Sequence, residues 1–139
     1  MVDTGLMSAL SEVDSRAILE GNALFTEFKG ALAEQFVCQE LKTFEDVYLA
    51  YWTNEPLAQA EIDFLLQIGS KIIPMEVKSA TNLRARSLSV YREKFNPSIE
   101  IRTSPADYKR TDNLFDIPLH ALSMLNEIIN DSSVVDESF

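Results

Sequence analysis

Residues 61–78 of the chain read EIDFLLQIGSKIIPMEVK, two apolar-rich segments joined by Gly69-Ser70. A two-residue loop that begins with glycine suits a type II′ β-hairpin turn, because glycine readily takes the positive φ that the first central position requires. Such a turn fixes the strand register and places Ile68 opposite Lys71. The stretch therefore predicts a β-hairpin with its turn at Gly69.

One face of the predicted hairpin is apolar. Side chains alternate between the two faces of a strand, so the register decides which residues lie together. The opposed apolar pairs are Leu66 with Ile73, Phe64 with Met75, and Ile62 with Val77. We expect this face to lie against the core.

The other face of the hairpin is charged, with Asp63 opposite Glu76 and Glu61 opposite Lys78. Directly opposed carboxylates repel each other, and a hard divalent cation such as Mg²⁺ would offset that repulsion while keeping several bound waters. Lys78 would stand beside the site, where an ammonium group stabilises developing negative charge, and Glu61 would be its salt-bridge partner. A solvated polar face would show the same residues, so the spacing leaves both interpretations open.

The segments around the hairpin alternate between helical and extended patterns. They predict helical structure over residues 1–22, helices over 23–42 and 83–95, strands over 47–52, 99–103 and 114–117, a last helix with Pro118 in its first turn, and a tail over 130–139. This order favours an α/β (α+β) fold, in which helices flank a mixed β-sheet. A chain of 139 residues is long enough for a single domain with one core.

The composition limits the kinds of site that the chain can form. With one cysteine, Cys38, and one histidine, His120, the sequence has no cluster of thiolates or imidazoles for zinc. Any metal site must therefore use oxygen ligands. The sequence also lacks a long apolar run and a signal-peptide pattern, so we expect a cytoplasmic protein with no membrane partner.

Charge is unevenly distributed along the sequence. The net charge of −10 argues against a general nucleic-acid-binding protein, because affinity for phosphates comes largely from lysine and arginine. Residues 71–110, however, contain nine basic and four acidic side chains, a net charge of +5. This basic segment contains the second strand of the hairpin and could equally be a solvated charged surface.

Several stretches of the sequence resemble a known protein family. They are GALAEQFVCQEL (30–41), AEIDFLLQIGSKIIPMEVKSA (60–80), LRARSLSVYREKFNPSIEIRTS (83–104) and IPLHAL (117–122). Together they are similar to a C-terminal domain of unknown function found in bacterial and archaeal AAA-type ATPases. That domain in turn resembles the PD-(D/E)XK, or restriction endonuclease-like, superfamily of nucleases, and the resemblance extends along nearly the whole chain.

The resemblance implies a set of site residues. Acidic residues and a Glu-x-Lys motif bind Mg²⁺ in that superfamily and activate water for phosphodiester hydrolysis. Carried over to this sequence, the metal ligands are Asp63, Glu76 and Glu34, and the catalytic residues are Asp63, Glu76 and Lys78. The implied nuclease-like domain covers residues 23–129.

Two features depart from the family pattern. The residue before the first catalytic aspartate is Ile62 rather than proline, a variation that the superfamily tolerates. The sequence also contains no G-x-x-x-x-G-K-[ST] phosphate-binding loop. We therefore expect the chain to be a C-terminal fragment of such an ATPase.

Two functions are consistent with these observations. The first is a phosphodiesterase that depends on Mg²⁺ or Mn²⁺ and acts on DNA, whose phosphates would be contacted by Arg84, Arg86, Arg92 and Lys94. The second is a catalytically inactive accessory domain that regulates the ATPase, dimerises or binds a partner. The expected partners are the ATPase portion of the same or a related protein, DNA, and a second copy of the chain.

Overall fold

The computed structural model describes residues 23–54, 60–80 and 86–134. In these residues helices flank a six-stranded mixed sheet, which confirms the predicted fold class. The elements are α1 (Ala23–Leu41), β1 (Tyr48–Thr53), β2 (Glu61–Ile68), β3 (Lys71–Val77), α2 (Arg86–Phe95), β4 (Glu100–Ser104), β5 (Lys109–Thr111), β6 (Leu114–Pro118), a 3₁₀ helix (Leu119–Met124) and α3 (Leu125–Val134). The helical segment predicted over residues 1–22 lies outside the described residues.

The hairpin formed by β2 and β3 has the predicted register. Ile68 lies opposite Lys71, and the ladder continues as far as Phe64 opposite Met75. Gly69 has a φ of 59°, in the region that a glycine-first turn requires. The two-residue turn therefore sets the pairing of both strands, as the sequence indicates.

The sheet has the strand order β1-β2-β3-β4-β6-β5. β2 is antiparallel to both of its neighbours, β1 and β3, whereas β4 is parallel to both β3 and β6. The sequence analysis does not predict β5, because Lys109, Arg110 and Thr111 are all exposed and show no apolar alternation. β5 pairs with β6 across a turn in which Asp112 has a φ of 52°.

The main core lies between one face of the sheet and the helices α1 and α3. Ala33, Val37 and Leu41 recur every fourth residue along α1, which places them on one side of the helix. They pack against buried strand residues, among them Leu66, Ile73, Met75, Ile101 and Phe115. This side of the sheet therefore has the apolar face that the hairpin pattern predicts.

A β-bulge interrupts the pairing of β1 with β2. Ala50 pairs with Leu65, but Trp52 pairs with Ile62, so β2 has one extra residue between these two positions. An extra residue bends a strand and changes the direction of nearby side chains. The bulge lies next to Asp63, the first acidic residue of the candidate site.

The bulge moves Ile62 into a second, smaller core. Ile62 packs with Leu88 and Tyr91 of α2, on the side of the sheet that α2 covers. Val77 belongs to the main core instead. The predicted pairing of Ile62 with Val77 on one apolar face is therefore wrong, because a uniform alternation cannot continue through a bulge.

The segment after β6 differs from the prediction in two respects. Pro118 is the last residue of β6 and is followed by a 3₁₀ helix, rather than lying in the first turn of an α-helix. Residues 130–134 are helical although the sequence predicts a tail over 130–139, whose remainder lies outside the described residues. Leu125 and Ile129, one helical turn apart, are buried and hold α3 on the core.

None of the helices in the described part of the chain is long and apolar enough to span a membrane.

Two adjacent isoleucines of β3 offer a matched test of this architecture. Ile73 is fully buried and Ile72 is 45% exposed. We expect Ile73→Ala to lower the free energy of unfolding by about 2–5 kcal/mol, because it leaves a cavity in the main core. Ile72→Ala should cost less than about 1 kcal/mol. Urea unfolding of both variants measures the difference, and equal losses would contradict the assigned faces.

Candidate functional site

Asp63 lies at the end of the β2–β3 ladder, two residues into β2. Its Oδ2 accepts a hydrogen bond of 2.7 Å from the backbone N–H of Val77. The ladder itself stops at Phe64 and Met75, so Asp63 is joined to β3 through its side chain rather than through strand pairing. This bond places the Asp63 carboxylate beside Glu76, the residue before Val77.

Glu76 is a buried carboxylate with one unpartnered oxygen. The residue is 4% exposed, and its Oε1 forms an ion pair with Nζ of Lys78. Its Oε2 is buried and has no hydrogen-bond partner among the described residues. The structure therefore pairs Lys78 with Glu76, whereas the sequence analysis predicts Glu61 as its partner.

The environment of Asp63 disfavours its ionised form. The pKa of Asp63 is raised from its ordinary value of 3.8 to about 6, mainly by burial and also by the negative charges of Glu34 and Glu76. The Val77 N–H bond and the positive charge of Lys78 act in the opposite direction on the same pKa. The other two acidic residues implied by the family resemblance thus both act electrostatically on Asp63.

Glu34 lies on α1 and is exposed, in contrast to Glu76. It acts on Asp63 by its charge. Among residues 23–54, 60–80 and 86–134, no three Asp, Glu, His or Cys side chains converge closely enough to hold a metal ion together. The described carboxylates do not form a preformed three-ligand cage.

Asp63 and Glu76 nevertheless have the chemistry of a magnesium site. Mg²⁺ is commonly held by one or two carboxylates and keeps several of its waters, so a three-carboxylate cage is not required. Within the described part of the chain, the buried Oε2 of Glu76 has no hydrogen-bond partner, and a cation would provide one. The residues present therefore fit a divalent cation bound by two carboxylates.

The four predicted phosphate-contacting residues have different surroundings. Arg84 lies outside the described residues. Arg86 is exposed in the first turn of α2, next to Ser87, whose hydroxyl accepts a 3.4 Å hydrogen bond from the backbone N–H of Glu61. This contact joins the first turn of α2 to the start of β2.

Arg92 and Lys94, farther along α2, make structural contacts. Arg92 forms two hydrogen bonds, of 2.7 and 2.6 Å, with the fully buried carboxylate of Glu100. Lys94 lies 5.7 Å from the ring centre of Trp52. The guanidinium of Arg92 is thus largely neutralised within the fold, which weakens its predicted role in phosphate binding.

Arg102 and Asp116 are charged residues near the site that the sequence analysis does not identify. Arg102 lies on β4 directly opposite Glu76 of β3, and Asp116 lies on β6 directly opposite Arg102. The Arg102 guanidinium donates two hydrogen bonds to Asp116, of 2.5 and 2.9 Å. The alternation of charged residues with isoleucines in IEIR (99–102) is the signal that would have drawn attention to Arg102.

A surface pocket of about 220 Å³ lies away from these carboxylates. It is lined by Arg92, Thr111, Asp112, Asn113 and Leu114. None of the implied metal ligands contributes to it.

Comparison with protein families identifies the class of domain. A family model matches residues 29–122, which is more than half of the chain, and the chain therefore belongs to the family described as Domain of unknown function (DUF4143). No curated protein matches the sequence.

Among solved structures, this chain is similar to a protein chain of a large complex. That structure is described as a refined half-complex from the tetradecameric assembly of Thermococcus gammatolerans McrB AAA+ hexamers with bound McrC. The two share 16% sequence identity with a TM-score of 0.47. The match covers 71% of this chain and 33% of the other, so this chain spans about a third of that protein's length.

The raised pKa of Asp63 predicts a pH-dependent contribution to stability. Between about pH 4 and pH 6 the native state holds the Asp63 proton more tightly than the unfolded chain, so this contribution to stability falls as the pH rises. Asp63→Asn removes the ionisation but keeps an oxygen that can accept the Val77 N–H bond. We therefore expect Asp63→Asn to gain stability relative to the wild type across this window and to level off above it.

Urea unfolding at a series of pH values, with a chelator present, measures the difference between the two proteins. The same substitution at exposed Asp107 controls for the loss of a single carboxylate elsewhere on the surface. A difference between wild type and Asp63→Asn that is the same at every pH would contradict the assigned environment of Asp63.

Proposed function

We propose that this chain is a phosphodiesterase domain of PD-(D/E)XK type that depends on Mg²⁺ or Mn²⁺, belongs to an AAA-type ATPase and acts on DNA. The observation that carries the proposal is the state of Glu76. Its buried carboxylate shares one oxygen with Lys78 and leaves the other without a hydrogen-bond partner among the described residues. A buried acceptor left unpaired is costly, and a cation supplies the missing interaction.

Asp63 and Glu76 would be the metal ligands. The pKa of Asp63, about 6, leaves this carboxylate mostly ionised at neutral pH, as a metal ligand must be. Glu34 adds negative charge from α1, which favours binding of a cation near Asp63. The three carboxylates would thus provide the negative charge that attracts a cation.

Lys78 would act on the reacting groups. A bound Mg²⁺ or Mn²⁺ supplies Lewis-acid stabilisation of charge on the phosphate and a more acidic water. Lys78 is ion-paired with Glu76 and is 30% exposed along its side chain, so its ammonium can donate to an attacking water or to a phosphate oxygen. The ion pair with Glu76 keeps this ammonium at the site before substrate arrives.

DNA is the proposed substrate because Glu76 and Lys78 belong to the basic segment of the sequence. Residues 71–110 have a net charge of +5 in a chain whose total is −10. Local positive charge attracts phosphates even when the whole molecule is acidic. Arg86, exposed at the start of α2, would contact a phosphate of the DNA.

A second candidate function is an inactive accessory domain that regulates the ATPase, dimerises or binds a partner protein. The engagement of Arg92 by Glu100 favours it, because this removes one of the predicted phosphate contacts. The exposure of Tyr48 and Tyr51, each about three-quarters exposed on β1, also favours a protein contact.

Metal titration by calorimetry tests the proposed function. We expect the wild type to bind Mn²⁺ and Mg²⁺, and we expect Asp63→Asn and Glu76→Gln to abolish the binding, because each removes a charged ligand. Metal-dependent cleavage of linear or branched DNA should be lost in these variants and in Lys78→Ala. Glu61→Gln is the matched control, since Glu61 lies on the same strand as Asp63 but is exposed.

Each outcome separates the two candidates. Binding that depends on Asp63 and Glu76, together with cleavage that depends on Lys78, would establish the phosphodiesterase. Binding without cleavage of any DNA would favour an accessory domain that retains its cation. No site-dependent binding at millimolar metal would rule out the proposed metal centre.

A further inference from the structure

Aromatic side chains of β1 and α2 form a cluster on the face of the sheet that α2 covers. The ring of Trp52 lies nearly perpendicular to those of Tyr91 and Phe95, with 5.2 and 5.8 Å between the ring centres. Tyr91 and Phe95 also contact each other, with their ring centres 4.6 Å apart. Edge-to-face contacts favour particular ring orientations, so the three rings hold one another in place.

Phe95 is the most exposed member of this cluster. It is the last residue of α2, and Asn96, with a φ of 46°, ends the helix directly after it. Phe95 is 49% exposed, whereas Tyr91, one helical turn earlier, is 6% exposed. Tyr91 and Leu88 attach α2 to the sheet through Ile62. The attachment of the helix therefore does not account for an aromatic ring at position 95.

Lys94 places a positive charge beside the rings. Its Nζ lies 5.7 Å from the ring centre of Trp52 and 5.6 Å from that of Phe95. These distances are near the outer limit of a cation–π contact, about 6 Å, and Lys94 is exposed, so the ammonium can bind an anion as well. Rings beside a lysine match the two parts of a nucleotide, because a base stacks on a ring and a phosphate binds the ammonium.

The cluster adjoins the strand that carries Asp63. Trp52 pairs with Ile62 in the ladder between β1 and β2, and Ile62 is the residue before Asp63. Paired strands lie about 5 Å apart. A nucleotide stacked at Trp52 is therefore bound beside the part of β2 from which the candidate site is built.

Stacking on a protein ring requires a base that is not held inside a duplex. Proteins that bind single strands place successive bases on aromatic side chains, since every base has a flat face. The charge of the chain favours this mode as well. With a net charge of −10, phosphate contacts alone give weak affinity for a duplex, whereas stacking does not require a large positive surface.

We propose that Trp52, Phe95 and Lys94 form a platform for single-stranded DNA, on which a base stacks against the rings and a phosphate binds the Lys94 ammonium. The inference rests on the proposed function, which makes DNA the substrate, and it narrows that substrate to DNA with an unpaired segment. The platform binds the strand and takes no part in the reaction itself.

Fluorescence of Trp52 tests the platform directly, because Trp52 is the only tryptophan of the chain. We expect an oligothymidine of about eight nucleotides, within the usual size of such sites, to quench this fluorescence. A chelator is present, so that no metal-dependent cleavage occurs. A blunt duplex of about 20 base pairs should bind at least about tenfold more weakly, because its bases are not free to stack.

Substitutions at Phe95 separate stacking from folding. Phe95→Tyr keeps a ring and should keep the affinity, whereas Phe95→Leu keeps an apolar side chain and should weaken binding about tenfold. Anisotropy of a labelled oligothymidine measures both, since changes at Phe95 also alter the surroundings of Trp52. Tyr108→Leu is the matched control, because Tyr108 is 52% exposed and precedes β5, at the opposite edge of the sheet from β1.

The salt dependence of binding tests the role of Lys94. For single strands the logarithm of the affinity falls with the logarithm of the salt concentration by about 0.7 per phosphate contact. We expect Lys94→Gln to weaken binding and to reduce this slope by about that amount, and Lys94→Arg to leave both unchanged. An unchanged slope in Lys94→Gln would contradict the phosphate contact.

The results for the platform and for the metal centre are independent. Equal affinity for single strand and duplex, wild-type affinity in Phe95→Leu, or fluorescence of Trp52 that DNA does not change would each overturn the inference. Cleavage that depends on Lys78 but shows no preference for unpaired DNA would leave the proposed function standing without the platform. Quenching by oligothymidine without any metal binding would remove the proposed function and leave a surface that binds single strands.

Discussion

The pairing register of β2 with β3 determines where every charged group of the candidate site lies. The turn at Gly69 sets this register, and β3 in turn pairs with β4, which pairs with β6. A slip of one residue would move each side chain to the opposite face of the sheet. Glu76 would then enter the main core and Met75 would take its place beside Arg102. The site and the core therefore depend on the same constraint.

The candidate site contains two carboxylates whose burial lowers the stability of the fold. Asp63 is partly buried with a raised pKa, and Glu76 is buried with an oxygen that has no hydrogen-bond partner among the residues that the structure describes. Both features cost stability, and such costs are common where binding or catalysis requires a particular arrangement of charge. The Val77 N–H bond and the Lys78 ion pair offset part of the cost by holding the two carboxylates in place.

Local patterns account for what the sequence predicts correctly. Apolar alternation and a glycine-first turn are sufficient for the hairpin register, and alternating helices and strands are sufficient for a mixed sheet covered by helices. The bulge beside Asp63 depends on pairing with β1, and the contact of Arg102 with Asp116 depends on a parallel crossover, so neither follows from neighbouring residues. The same limit explains why Arg92 was predicted to contact phosphate, since its partner Glu100 is recognised only once α2 is placed against β4.

The outer strand β1 affects how copies of the chain behave in solution. Its sequence, YLAYWT, contains no charge and no proline, the features that usually prevent edge strands from pairing between molecules. Repulsion between copies that each carry a net charge of −10 is then the main barrier to such pairing. Salt at about 0.1 M screens charges beyond roughly 10 Å. The colloidal stability of concentrated samples therefore depends on ionic strength, and low salt favours a monodisperse preparation.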